Sequence, residues 1–319
     1  MDSIQEALKP VDRVEVTTLI DNYADALLES TDVVERAPHH EGEVIPDDTL
    51  LGEHGLCLMV TVHEKGGKHS ILFDAGYSKV GVLHNLEMLK LDLGEIESLV
   101  VSHRHMDHTA GLYALLDRIA QPIDLVVHPE AFLYERYLRL KDGRMIRFPK
   151  ILSREKLEAY SVTVRESEGP LLIAGKGIAV TGRVERTTAF EKGMTNAFME
   201  KDGRMEQDPV ADDQALIIHL KGRGLVVISG CSHAGIINTI TYARKITGIE
   251  KVYAVLGGFH LTGPAYEPII GDTIAALKEM APGVIVPMHC TGWNAIKHFS
   301  EAFPESFLLN SVGSKFVLS

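Results

Sequence analysis

A chain of 319 residues, 45% hydrophobic and 24% charged, is long enough to bury a sizeable core. Its 44 acidic against 32 basic side chains leave a net charge of −12, which disfavours non-specific contact with nucleic acid but leaves room for a small anionic substrate held by a local basic or metal site. The apolar runs are too short to cross a bilayer, no basic-then-apolar leader opens the chain, and three scattered cysteines argue against a disulfide framework, so a reducing, cytoplasmic setting is expected.

Residues 14–20 are apolar and β-branched up to the turn pair Asp21-Asn22, which predicts a strand. The acidic, proline-bearing segment 25–55 reads as a long excursion from the sheet. Strands at 56–62 and 70–73 flank a turn at 64–68 as a hairpin. Apolar residues at 82, 83, 86 and 89 predict a helix over 82–91. A strand at 99–101, a helix over 112–119 and a strand at 123–127 follow. Segment 129–200 is less regular. It reads as a helix over 130–140, a turn at 141–144 and an arginine-rich remainder, together a cap-like insertion in one domain spanning 1–319. A turn at 201–204 follows. The second half predicts a hairpin of strands 215–220 and 225–229, then a helix over 236–246, a strand at 252–256, a helix over 273–280, a strand at 284–286 and a helix over 293–303. Two strand-rich halves with helices imply two sheets packed face to face, helices outside. No Gly-x-Gly-x-x-Gly follows a strand and no phosphate-binding loop of the Gly-x4-Gly-Lys type occurs, so nothing supports a nucleotide site.

The run Ser102-His103-Arg104-His105-Met106-Asp107-His108 places three imidazoles and a carboxylate within six positions after a strand. These side chains bind divalent transition metals well. His103 and His105 can share a face, because alternate residues do. Asp107 and His108 can then turn to a second ion. A lone loop histidine is usually just solvated, but four donors in six positions are not explained that way. Four other strands end in polar residues and Gly: at Asp74-Ala75-Gly76, at Ser229-Gly230-Cys231-Ser232-His233, at Gly257-Gly258-Phe259-His260, and at Pro287-Met288-His289-Cys290-Thr291-Gly292. Such ends fix a side chain while Gly lets the backbone approach a ligand.

The 103–108 cluster, with Leu72-Phe73-Asp74-Ala75-Gly76 upstream, resembles the metallo-β-lactamase superfamily. Leu19-Ile20-Asp21-Asn22, Glu53-His54-Gly55, Asp213-Gln214-Ala215-Leu216 and the later strand ends resemble its branch containing the archaeal dihydropterin ribofuranosylaminobenzene phosphate synthases. The resemblance implies an α+β fold, a four-layer αβ/βα sandwich of two mixed sheets with helices outside. It also implies a mono- or dinuclear site, with two divalent ions at full occupancy, zinc ahead of manganese or iron. His103, His105 and His233 would hold one; Asp107, His108 and His289 the other. Asp74 would accept a ring N–H from a ligating histidine and fix its tautomer. Cys231 replaces the usual bridging Asp, either as a thiolate ligand or as a small buried residue. Thr181-Gly182-Arg183 stands where the usual Pro-Gly-His ligand segment would be, and His233 would compensate.

The implied chemistry is a metal-activated hydroxide attacking a small anionic phosphoester, carboxylic ester or lactone. Asp107 would orient the water, His260 would donate a proton or hold an anion, and Arg183 and Arg186 would clamp the anionic group. Two alternatives are a synthase-like transfer joining a pterin to an aminobenzene ribotide and a non-catalytic metal sensor. The intact donor set argues against the sensor.

Overall fold

The computed structural model describes residues 4–38, 40, 42–133 and 135–319. Among them, two large mixed sheets form. The first runs in the order Val34–Glu35, Lys315–Leu318, Arg13–Ile20, Cys57–Glu64, Gly67–Phe73, Ile96–Val100, Ile123–Val127 and Val162–Glu166. The second runs Leu171–Ile173, Ile178–Val180, Ala215–Leu220, Gly224–Ser229, Val252–Gly258 and Val284–Met288. From Gly67–Phe73 onward in the first sheet, and from Gly224–Ser229 onward in the second, neighbouring strands are parallel.

Successive strand residues point to opposite faces, and here both faces are buried. Leu58, Val60, Val62, Ile71 and Phe73 of the first sheet share a central core with Leu216, Ile218, Val226, Ile228 and Leu256 of the second. The alternate residues Leu72, Leu99 and Leu125 pack outward with helices Gly81–Met88 and Leu112–Leu116. On the far side, Val227, Val255 and Ile285 pack with helices Ile236–Thr247, Ile270–Met280 and Trp293–Ala302. This is the four-layer α+β sandwich that the resemblance implies. Among the described residues, no helix is long and apolar enough to cross a membrane.

The helix expected over 130–140 does not form. A 3-10 turn, Pro129–Phe132, leads instead into strand Arg136–Arg139, with residue 134 outside the described residues. That strand pairs with Ala197–Lys201, far along the chain. Local spacing carries no signal of such a partner, and the partner overrides propensity. Met145–Arg147 and Arg204–Gln207 complete a small third sheet, hinged at the turns expected at 141–144 and 201–204. Within 129–200, residues 162–180 supply edge strands to both large sheets. The parallel strands of the two sheets end side by side, which is where α/β sheets place their ligand sites.

Candidate metal centre

The strand ends that converge here carry four non-glycine residues at positive φ: Asp74 at 66°, Ser232 at 57°, His260 at 46° and His289 at 48°. This conformation costs energy and concentrates at functional sites. Gly230 has a different task. A Cβ there would sit 2.1 Å from Ser102 Oγ. Only glycine lets the loop carrying Cys231 and His233 close onto the 102–108 turn.

His103 Nε2 lies 2.9 Å from His105 Nδ1, and His233 Nε2 lies 3.1 and 3.2 Å from those two atoms. All three rings are buried. His103 Nδ1 faces Ser102 Oγ at 3.0 Å, and Ser102 Oγ donates to Asp74 Oδ2 at 2.8 Å. Nδ1 of His103 therefore carries the proton and its Nε2 turns a lone pair inward. Such a meeting of lone pairs fits a cation at its centre. Tetrahedral zinc with bonds of about 2.0–2.1 Å sets its nitrogens about 3.3 Å apart, close to the spacing found.

A second set stands beside the first. Asp107, His108, Cys231 and His289 offer donor atoms that all lie within 4.8 Å of one another. His108 Nδ1 donates to Asp74 Oδ2 at 2.7 Å, which leaves Nε2 facing Cys231 Sγ at 3.1 Å. His289 Nδ1 donates to Asn22 Oδ1 at 3.1 Å, which aims Nε2 at Asp107 Oδ2, also 3.1 Å away. Asp21 secures this arm by accepting the His289 main-chain N–H at 2.8 Å. Cys231 thus stands among the donors. Burial pushes its thiol up in the metal-free chain, whereas a bound cation strips the proton from a coordinating thiol. Cys231, His233 and His260 form a third group of converging donors.

In the metal-free chain, burial holds His103 and His233 well below the usual imidazole range, and burial with Arg104 alongside takes His105 down to about 3. Burial also pulls His108 down, but Asp74 and Asp107 outweigh it and raise that ring to about 9. The lowered rings stay neutral in the fold while the unfolded chain takes up protons below about pH 6.5. Their contribution to stability is lost as pH falls from there. The His108 contribution is complete below about pH 6.5 and is lost as pH rises toward 9. Melting curves of the chelated chain are therefore expected to show a maximum near pH 6.5. A melting temperature that climbs steadily to pH 9 would contradict the Asp74–His108 pair.

His260 packs its ring 4.3 Å from that of His233 and 4.4 Å from that of Tyr266. All three line a cleft of about 410 Å³ with Phe190, Lys192 and Leu261. The two arginines expected as clamps stand elsewhere, along a separate cleft of about 520 Å³. Arg186 donates to the carbonyls of Pro209 and His233, at 2.7 and 3.1 Å, and so braces the main chain behind a donor. Arg183 is exposed.

The comparisons with known proteins agree with this geometry. A family model described as the metallo-β-lactamase superfamily matches residues 50–182. The 7,8-dihydropterin-6-methyl-4-(β-D-ribofuranosyl)-aminobenzene-5′-phosphate synthase of Methanocaldococcus jannaschii is 34% identical over 258 residues, covering 80% of this chain and 86% of its own. This chain belongs to the metallo-β-lactamase superfamily. An uncharacterised protein from the same organism, MJ0448, is 31% identical over 275 residues, covering 85% of this chain and 97% of its own. Among solved structures, Tm1679, described as a metal-dependent hydrolase of the β-lactamase superfamily, superposes with a TM-score of 0.68 at 26% identity, covering 96% of this chain and 98% of that one. The superfamily fold implies divalent metal binding, which the converging donors fit.

Proposed function

We propose that this chain is a metal-dependent hydrolase acting on a small anionic phosphoester, carboxylic ester or lactone, with two divalent ions, zinc ahead of manganese or iron. One observation carries the reading: two donor sets of different chemistry converge at adjacent strand ends, and His233 of the first set opens onto a cleft it shares with His260. Divalent ions held there supply Lewis acidity and a nucleophilic water near neutral pH. His103, His105 and His233 would hold one ion; Asp107, His108, Cys231 and His289 the other. Asp107, at the mouth of the site with its side chain 14% exposed, orients the attacking water through its carboxylate. His260 stands where it can hand a proton to a leaving group, and Lys192 supplies a cation for the substrate's anionic part. Cys57, Cys231 and Cys290 are buried and free, in keeping with a reducing compartment such as the cytoplasm.

A group-transfer reading is favoured by the synthase relative, 34% identical across most of both chains. The same centre would then activate a leaving group for condensation. Assay of the zinc-loaded full chain against phosphomonoesters, phosphodiesters, lactones and thioesters separates the two. Chelator-sensitive hydrolysis restored by zinc is expected. A zinc-loaded chain inert toward the whole panel, yet active with a pterin and an aminobenzene ribotide, would decide for the transferase.

A further inference from the structure

We propose that Arg136 is a positioning residue for the first donor set, tying the small third sheet to the metal-binding turn through buried charges. Arg104 stands between His103 and His105 in sequence, and Asp212 grips it at two points. Asp212 Oδ2 accepts the Arg104 main-chain N–H at 2.9 Å, and Oδ1 accepts from Nη1 at 2.9 Å. Asp208 Oδ2 takes Arg104 Nη2 at 2.6 Å, while its Oδ1 takes Arg136 Nη1 at 2.5 Å and the Val210 N–H at 2.8 Å. Arg136 Nη2 donates to the Glu130 carbonyl at 2.9 Å. The side chains of Arg104, Arg136, Asp208 and Asp212 are at most 8% exposed.

The two buried guanidiniums face two buried carboxylates, with the partly exposed Glu130 carboxylate 3.7 Å from Arg136 Nη2 at the edge of the network. Exposed ion pairs hold little, but a buried network whose members are paired is stiff and costly to break. Arg136 begins strand Arg136–Arg139 of the third sheet, and Asp208 follows its strand Arg204–Gln207. The same sheet delivers Phe148, whose ring stacks on His105 at 4.9 Å between centroids and 15° between planes. The backbone at residue 104 is thus clamped from one side and the His105 ring from another. This fixes the separation of His103 Nε2 and His105 Nδ1. Removing Arg136 leaves two buried carboxylates facing one guanidinium, and the residue 104 clamp must shift to relieve them.

The proposal rests on the reading that the nitrogens of residues 103, 105 and 233 hold a metal. Cobalt(II) titration of the full metal-free chain tests it, reading both affinity and the visible absorption band, which reports coordination geometry. Arg136→Met is expected to weaken cobalt binding about 10- to 100-fold, the range for groups that orient metal ligands, and to change the band. Arg136→Lys, which returns the charge opposite Asp208, is expected to recover most of that loss. Arg144→Met, at an exposed pair with Asp142 in the same sheet, is expected to leave both readings unchanged. A folded Arg136→Met chain with the parent's affinity and band overturns the coupling, as does the absence of recovery in Arg136→Lys. A parent chain that binds no cobalt overturns the coupling together with the metal reading. If Arg136→Met does not fold, Asp208→Asn decides, since it removes the charge through which Arg136 is joined to Arg104 while keeping the side-chain shape. About 10-fold weaker binding supports the coupling, and unchanged binding overturns it.

Discussion

Replacing His105 with Ala is expected to remove bound metal and turnover together. Its Nδ1 is one of three nitrogens 2.9–3.2 Å apart, and without it the first set keeps two donors. Outer partners of metal ligands typically change affinity 10- to 100-fold, so losing a donor itself should exceed about 100-fold. The fold should survive, because the two-sheet core does not depend on this ring. A second readout separates metal loss from unfolding. His105 is held down to about 3 in the metal-free chain, mainly by burial, so it costs stability below about pH 6.5, where the unfolded chain protonates it. The chelated His105→Ala chain should therefore lose less melting temperature between pH 7 and pH 5 than its parent. Metal content by mass spectrometry and turnover should fall in step, and full activity in a variant without metal ends the proposal.

The donors were legible in the sequence because each sits at the end of an apolar strand, and because His103, His105, Asp107 and His108 fall so close together. The topology then gathers His233, His260 and His289 to them along the ends of the second sheet's parallel strands. The residues that aim the donors were harder to see. Asp21 and Asn22 read as a turn and as part of a branch-like segment, neither of which assigns them a task, yet they fix the main chain and the ring of His289. His54 stacks its ring 5.0 Å from that of His289, and Asn22 joins them. Asp208, Asp212 and Arg104 carry no motif that links them, yet they form one buried network. An ion pair between positions so far apart leaves no periodicity in either segment. The third sheet was missed for the same reason. Arg136–Arg139 carries residues that suit helix or strand equally, and only its pairing with Ala197–Lys201 decides. Phe148 therefore gave no sign of stacking on a donor.

Substituting Asp74 by Asn is expected to disable the second donor set by reversing a tautomer, with little change in shape. Asp74 is buried, and its carboxylate accepts three times: from the Ser102 N–H at 2.7 Å, from Ser102 Oγ at 2.8 Å and from His108 Nδ1 at 2.7 Å. The last of these keeps the His108 proton on Nδ1 and a lone pair on Nε2. An amide can keep the Ser102 N–H with its oxygen, but it then presents an NH₂ to His108. The ring answers by accepting at Nδ1 and carrying its proton on Nε2, pointed at Cys231 and Asp107. A protonated nitrogen cannot ligate a cation. On the proposed two-ion hydrolase, metal content should fall from about two ions per chain toward one, with hydrolysis reduced by about 100-fold, the upper end for orienting partners. The chelated chain should also show a smaller decline in melting temperature between about pH 6.5 and 9, because His108 keeps Asp107 but loses Asp74, the larger of the two carboxylate influences that raise it. The cost in stability should stay near 1–3 kcal/mol, the range for a buried polar group left with an imperfect partner. An Asp74→Asn chain that keeps the parent's metal content and its alkaline loss of stability would show that His108 is aimed by something other than this carboxylate.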